Sequence, residues 1–222
     1  MSKFLERHLT EVEHALSLQA DAVERMVQAA YEGLRERCLG TAAAVLDSEA
    51  ELNRSEVDIE ERCLELLALH QPVAVDLRRV AATLKINGDL ERIGDLALNL
   101  AERTEDLARI PHVAVPAELE TMVERAIEML RDAHSAFVHV DEELARSVRL
   151  RDDEVDALNR GIIASLTKQM AAEPQQVEGL LHVFSASRII ERIADHATNI
   201  AEDVMYLAKG EITRHRWVKQ SA

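Results

Sequence analysis

The stretch Glu91-Arg92-Ile93-Gly94-Asp95-Leu96-Ala97-Leu98-Asn99-Leu100-Ala101-Glu102 returns one hundred positions later as Glu191-Arg192-Ile193-Ala194-Asp195-His196-Ala197-Thr198-Asn199-Ile200-Ala201-Glu202. Glu, Arg, Ile, Asp, Ala, Asn, Ala and Glu recur in register, with Leu100 exchanged for Ile200. A repeat this long describes a duplicated unit rather than a short solenoid period. The chain must therefore adopt an architecture that can be built twice.

At roughly 100° per residue, Glu91, Asp95, Asn99 and Glu102 fall within about 80° of one another on a helix. Ile86, Leu90, Ile93, Ala97, Leu100 and Leu107 gather on the opposite side as a core-facing stripe. The second copy divides alike, with Ile190, Ile193, Ala197, Ile200, Val204 and Leu207 on its apolar face and Glu191, Asp195 and Asn199 on the polar one. Two carboxylates at i,i+4 repel by roughly 0.2–0.5 kcal/mol on an isolated helix. Repeating that arrangement, with an oxygen-bearing Asn one turn on, suggests a stripe that holds a cation. A single Glu-x-x-x-Asp is more often a solvated face, but here duplication kept the polar face while apolar positions drifted. Oxygen donors suit magnesium, manganese, calcium or iron.

Seven Gly, four Pro and 3% aromatics in a chain that is 47% hydrophobic leave few breaks and favour an all-helical fold. The apolar rhythm predicts one helix from near the start to about Cys38 and a second from about Ala42 to Leu69, with Thr41 as its N-cap. A third opens at Pro72 and runs to about Arg109. Gly88 and Gly94 inside it read as close-packing positions. Ile110-Pro111-His112-Val113-Ala114-Val115-Pro116 has no helical period and reads as a linker. Three more helices follow: Ala117 to about Val140, Asp141 to Ala172, and one after Pro174 that stops at Gly210. The expected architecture is six long helices in two pseudo-symmetric three-helix bundles, residues 1–110 and 117–215, joined by 111–116. The middle helices carry a second oxygen set. Glu49, Asn53 and Glu56 align with Asp152, Asp156 and Asn159 at an offset of 103.

Net charge of −15, with no basic cluster, argues against nucleic acid and against adhesion to anionic membrane. No apolar run reaches the ~20 residues of a membrane span, and the N-terminus lacks a hydrophobic signal core. A cytoplasmic protein is expected. Cys38 and Cys63 lack ligand spacing and read as reduced, half-buried helix residues. No phosphate loop, dinucleotide motif, HExxH or GxSxG occurs. Glu11-x-x-His14 is half of a di-iron signature without its second half. His196 reads as a surface residue beside Asp195.

The chain resembles the PhoU family, bacterial accessory and regulatory proteins of phosphate transport. The carriers are Gln71-Pro72-x-x-x-Asp76-Leu77-Arg78, Asp89-Leu90-Glu91-Arg92-Ile93-Gly94-Asp95, Arg188-x-x-Glu191-Arg192-Ile193-x-Asp195-His196-x-x-Asn199-Ile200, and Lys209-Gly210-x-x-x-Arg214-His215. The resemblance implies two three-helix bundles and metal at Glu91/Asp95 and Glu191/Asp195, with iron, manganese, magnesium and zinc left open. Its functional implication is a non-enzymatic negative regulator of the phosphate-starvation response. Such a regulator links the ATPase subunit of a phosphate ABC transporter to a sensor histidine kinase, with homodimerisation left open. Two alternatives stand beside it. One is a metal-dependent phosphohydrolase with Arg92 and Arg192 as phosphate clamps, and the other is a helical adaptor that works by contact without metal. Asn53 in place of Asp156 gives the first half less negative charge, so the two sites are expected to differ in ion or affinity.

Overall fold

In the computed structural model, residues 3–110 and 112–210 are described. Arg214 and His215 lie outside them, as does Pro111 of the expected linker. The described chain is helical and without strands: α1 (Lys3–Glu36), α2 (Leu39–Asp47), α3 (Glu49–His70), α4 (Ala74–Arg109), α5 (Ala117–His139), α6 (Glu142–Ala172) and α7 (Val177–Lys209). A 3-10 turn, Pro174–Gln176, leads into α7. None of these helices is long and apolar enough to cross a membrane.

Six long helices are present, in two bundles of three, with the second one interrupted. Ser48 separates α2 from α3 while keeping helical angles (φ −78°, ψ −15°), and its hydroxyl donates to the Ala44 carbonyl at 3.0 Å. A hydroxyl that bonds back onto the preceding turn bends a helix. The start also differs from expectation. Cys38, not Thr41, occupies the N-cap of α2 and is exposed, whereas Cys63 is fully buried. At the α3–α4 turn, Gln71 takes a left-handed conformation (φ 46°) and Val73 is the N-cap, so Pro72 precedes the helix instead of opening it.

The first bundle is α1, α2/α3 and α4, and the second is α5, α6 and α7, with α4 against α7 as the most extensive helix contact. All twelve apolar positions read from the two repeats are buried, in one continuous core. Cross-pairs set the register of α4 on α7. Lys85 meets Asp203 at 3.0 Å, Asp89 meets His196 at 2.8 Å, and Asp106 meets His182 at 3.3 Å. Ascending numbers on α4 meet descending numbers on α7, so the helices are antiparallel and the repeated stretches lie mid-crossing.

Arg37 secures the connection between halves. It sits in a left-handed conformation after α1 (φ 53°) and donates to the carbonyls of Leu107 at 2.7 Å, Ile110 at 2.8 Å and Val113. A guanidinium there satisfies the orphan carbonyls of the α4 C-terminus and complements its dipole. Val113 is then buried against α7, where a Cβ on Gly179 would lie 2.5 Å from its Cγ2.

Of the two internal glycines of α4, Gly94 is a close-packing position, since a Cβ there would lie 2.1 Å from Leu52 Cδ2, whereas Gly88 has open space. The second half carries Ala194 and Val155 at the matching positions, one methyl larger and one smaller. Gly94→Ala gains about 1 kcal/mol of helix propensity but overpacks Leu52 at about 1–3 kcal/mol. Leu52→Val should relieve the overpacking. Urea unfolding of both single variants and the double variant is expected to give a favourable coupling of about 1–3 kcal/mol. Additive effects would mean that Leu52 moves aside freely.

Candidate metal centre

The oxygen side chains of the second half converge in the cleft between α6 and α7. Burial pushes the Asp152 carboxyl up to about 6, with the charge of Asp195 adding to it and the hydroxyl of Thr198, 3.3 Å away, opposing. Asp195 is raised by burial first and by Asp156 second. Glu191 is raised by burial and by Asp195, against the pull of Arg188. The four predicted carboxylates Asp152, Asp156, Glu191 and Asp195 thus repel one another across two helices. For Asp152, Glu191 and Asp195 burial and neighbouring negative charge both disfavour the ionised form, while Asp156 pairs with Arg160 at 3.3 Å.

Two oxygens in this cleft lack partners. Glu191 accepts from Arg188 at 2.6 Å through Oε1, while its buried Oε2 has no hydrogen-bond partner. Asn159, close to Asp156 along α6 and 3% exposed, holds an unpartnered buried Oδ1. Buried acceptors are normally satisfied, and an orphan calls for an explanation. A cation answers both the repulsion and the open acceptors, and an all-oxygen donor set fits a hard or intermediate ion. Asp152, Asp156, Glu191 and Asp195 are the residues that would hold it. Among the described residues, no group of three or more His, Cys, Asp or Glu side chains is closed tightly enough to hold an ion as placed. Side-chain rotation would have to close the set.

The first half is looser. Glu91 is raised by burial, then by Asp95 and then by Glu56. The α3 carboxylate that reaches the stripe is therefore Glu56, the last residue of the middle-helix motif. Glu49 and Asn53 are exposed on α3, and Asn99 donates to the Asp95 carbonyl of its own helix at 2.7 Å. Asn199 is half-buried on α7. Arg92 and Arg192 are exposed. His196, expected at the surface, is instead turned away from the stripe into the α4–α7 seam, its side chain 13% exposed against Asp89. Thr198 and Arg188 are cleft residues without a ligand signature in the sequence.

A family model described as the PhoU domain matches residues 16–104 and again residues 119–204. A phosphate-specific transport system accessory protein PhoU homolog of Aquifex aeolicus is 36% identical over 214 residues, covering 96% of this chain and 97% of that protein. A homolog of the same description from Pseudomonas putida is 35% identical, over 99% of this chain and 86% of its own length. The crystal structure of PhoU from Pseudomonas aeruginosa superposes with a TM-score of 0.89 at 33% identity, covering 93% of this chain and 99% of that one. That of the phosphate transport system regulatory protein PhoU from Streptococcus pneumoniae gives 0.84 at 25% identity, covering 94% and 98%.

The raised Asp152 carboxyl has a consequence for stability. Its value in the unfolded chain is about 4, so between there and about 6 the native state holds a proton that the unfolded state has released. Stability of chelator-treated protein should therefore fall as pH rises through this window. Asp152→Asn removes that part of the slope and raises stability at pH 8. The check is thermal unfolding at stepped pH, and a slope unchanged by the substitution would assign the titration to other groups.

Proposed function

Because this chain belongs to the PhoU family, we propose that it is an accessory protein of a phosphate-specific transport system that represses the phosphate-starvation response when phosphate is plentiful. It does so without catalysis, by linking the transporter's ATPase subunit to a sensor histidine kinase on the cytoplasmic side. The observation that carries this reading is the matching of both halves by the PhoU domain, within an alignment that runs nearly end to end through a transport accessory protein. Net charge of −15 without a basic cluster favours protein or cation partners over nucleic acid.

A cation in the α6–α7 cleft fits this role. It would supply positive charge that offsets the repulsion among Asp152, Asp156, Glu191 and Asp195. The residues themselves would hold α6 against α7 and stiffen the outer face of the second half. The first half, with Asn53 where the second has Asp156, would take an ion more weakly. A contact-only adaptor is the second reading, favoured by the exposure of Glu49 and Asn53.

Two measurements test these readings. From phosphate-replete membranes the protein is expected to co-purify with a transporter ATPase and a histidine kinase, and recovery of neither would sink the coupling role. Elemental analysis of untagged protein should show metal that disappears when Asp152 and Asp156 become Asn, Glu191 Gln and Asp195 Asn. Equal, negligible metal in both proteins would leave the contact-only adaptor.

A further inference from the structure

His8, in the second turn of α1, faces His70, the last residue of α3, although 62 positions separate them. His8 Nδ1 and His70 Nε2 share a hydrogen bond of 3.2 Å, with ring centroids 5.3 Å apart and the planes at 54°. Both rings are half-buried and line a cavity of about 230 Å³ together with Glu11, Arg62 and Glu65. Neither histidine belongs to the acidic stripes or to the α4–α7 seam.

We propose that His8 and His70 are two ligands of a divalent cation of the zinc class, which clips the start of α1 to the end of α3. Two nitrogens bound to one tetrahedral ion at 2.0–2.1 Å are roughly 3.3 Å apart. The observed 3.2 Å is already that spacing. Only a tilt of the rings is needed, so that both lone pairs meet at the ion rather than sharing a proton. Glu11 lies one turn after His8 on the same helix and lines the same cavity, so it is the third donor. It is held now by Arg7 at 2.8 Å, an exposed i,i+4 pair that gives way at little cost. Water completes the shell. The neighbouring cation, Arg62, is occupied by Asp58 at 2.8 Å.

The donor set separates this site from the carboxylate clefts. Imidazole nitrogen favours zinc, nickel, cobalt or copper, whereas carboxylate and carbonyl oxygens favour magnesium, calcium or manganese. An ion bridging residues this far apart in sequence would also close a long loop and stabilise the bundle.

The test is zinc titration, followed by calorimetry, of the untagged full chain beside His8→Gln, His70→Gln and the four-carboxylate variant of the α6–α7 cleft. Cobalt(II), whose visible absorption reports nitrogen ligation, serves as the second probe. The wild type is expected to bind one zinc with a raised Tm, and each histidine variant to bind it more than about tenfold more weakly. The carboxylate variant should bind it as the wild type does, whatever becomes of the cleft. Ring proton signals of His8 and His70 in the wild type should shift first on adding zinc, a readout independent of whether the variants fold. Unchanged zinc affinity in both histidine variants, shifts confined to other histidines, or no zinc binding by the wild type would overturn the proposal.

Discussion

The antiparallel packing of α4 on α7 is the contact on which the rest of the structure depends. Each helix brings its repeated stretch to the middle of the crossing, with Ile93, Ala97, Ile193 and Ala197 fully buried. Apolar packing alone would tolerate a slide of one helical turn. The flanking pairs do not, because a slide would draw Asp89, 6% exposed, away from His196 and Asp203, 1% exposed, away from Lys85. Moving a buried carboxylate off its partner is unfavourable, so these pairs select one register among several that the hydrophobic stripe allows. Lys85 contributes twice, since its ammonium also stands 5.2 Å from the centre of the Tyr206 ring.

With that register set, each acidic stripe is turned toward the middle helix of its own half, and the two halves diverge. In the second, α6 adds Asp152 and Asp156 to Glu191 and Asp195 in a partly buried cleft. Such an arrangement works against folding unless protons or a cation relieve it. In the first, Glu56 approaches the stripe, and Glu49 and Asn53 remain in solvent. Duplication has thus left the second half with more carboxylates facing one another than the first. The same drift shows in the packing, where Gly94 beside Leu52 in one half corresponds to Ala194 and Val155 in the other.

Much of the fold was legible because helical periodicity and duplication report the same thing independently. Every apolar residue assigned to the core face of the two repeats is buried. Helix ends were read less well, for local reasons. The hydroxyl of Ser48 competes with the helix it sits in, and a left-handed Gln71 places the turn ahead of Pro72. Cys38 caps α2 although its type is not a favoured cap. The role of Arg37 was invisible, since its guanidinium reaches carbonyls some seventy residues away.

By itself the sequence determined the all-helical class, the twofold plan and the polar and apolar faces of the long helices. These follow from residue type and spacing along one helix, which short-range geometry dictates. Tertiary structure decided which carboxylates meet, which oxygens go unpartnered, and that His196 belongs to the seam between halves while His8 meets His70. Those are distances between helices, set by how side chains from remote parts of the chain share one core, and no local period encodes them.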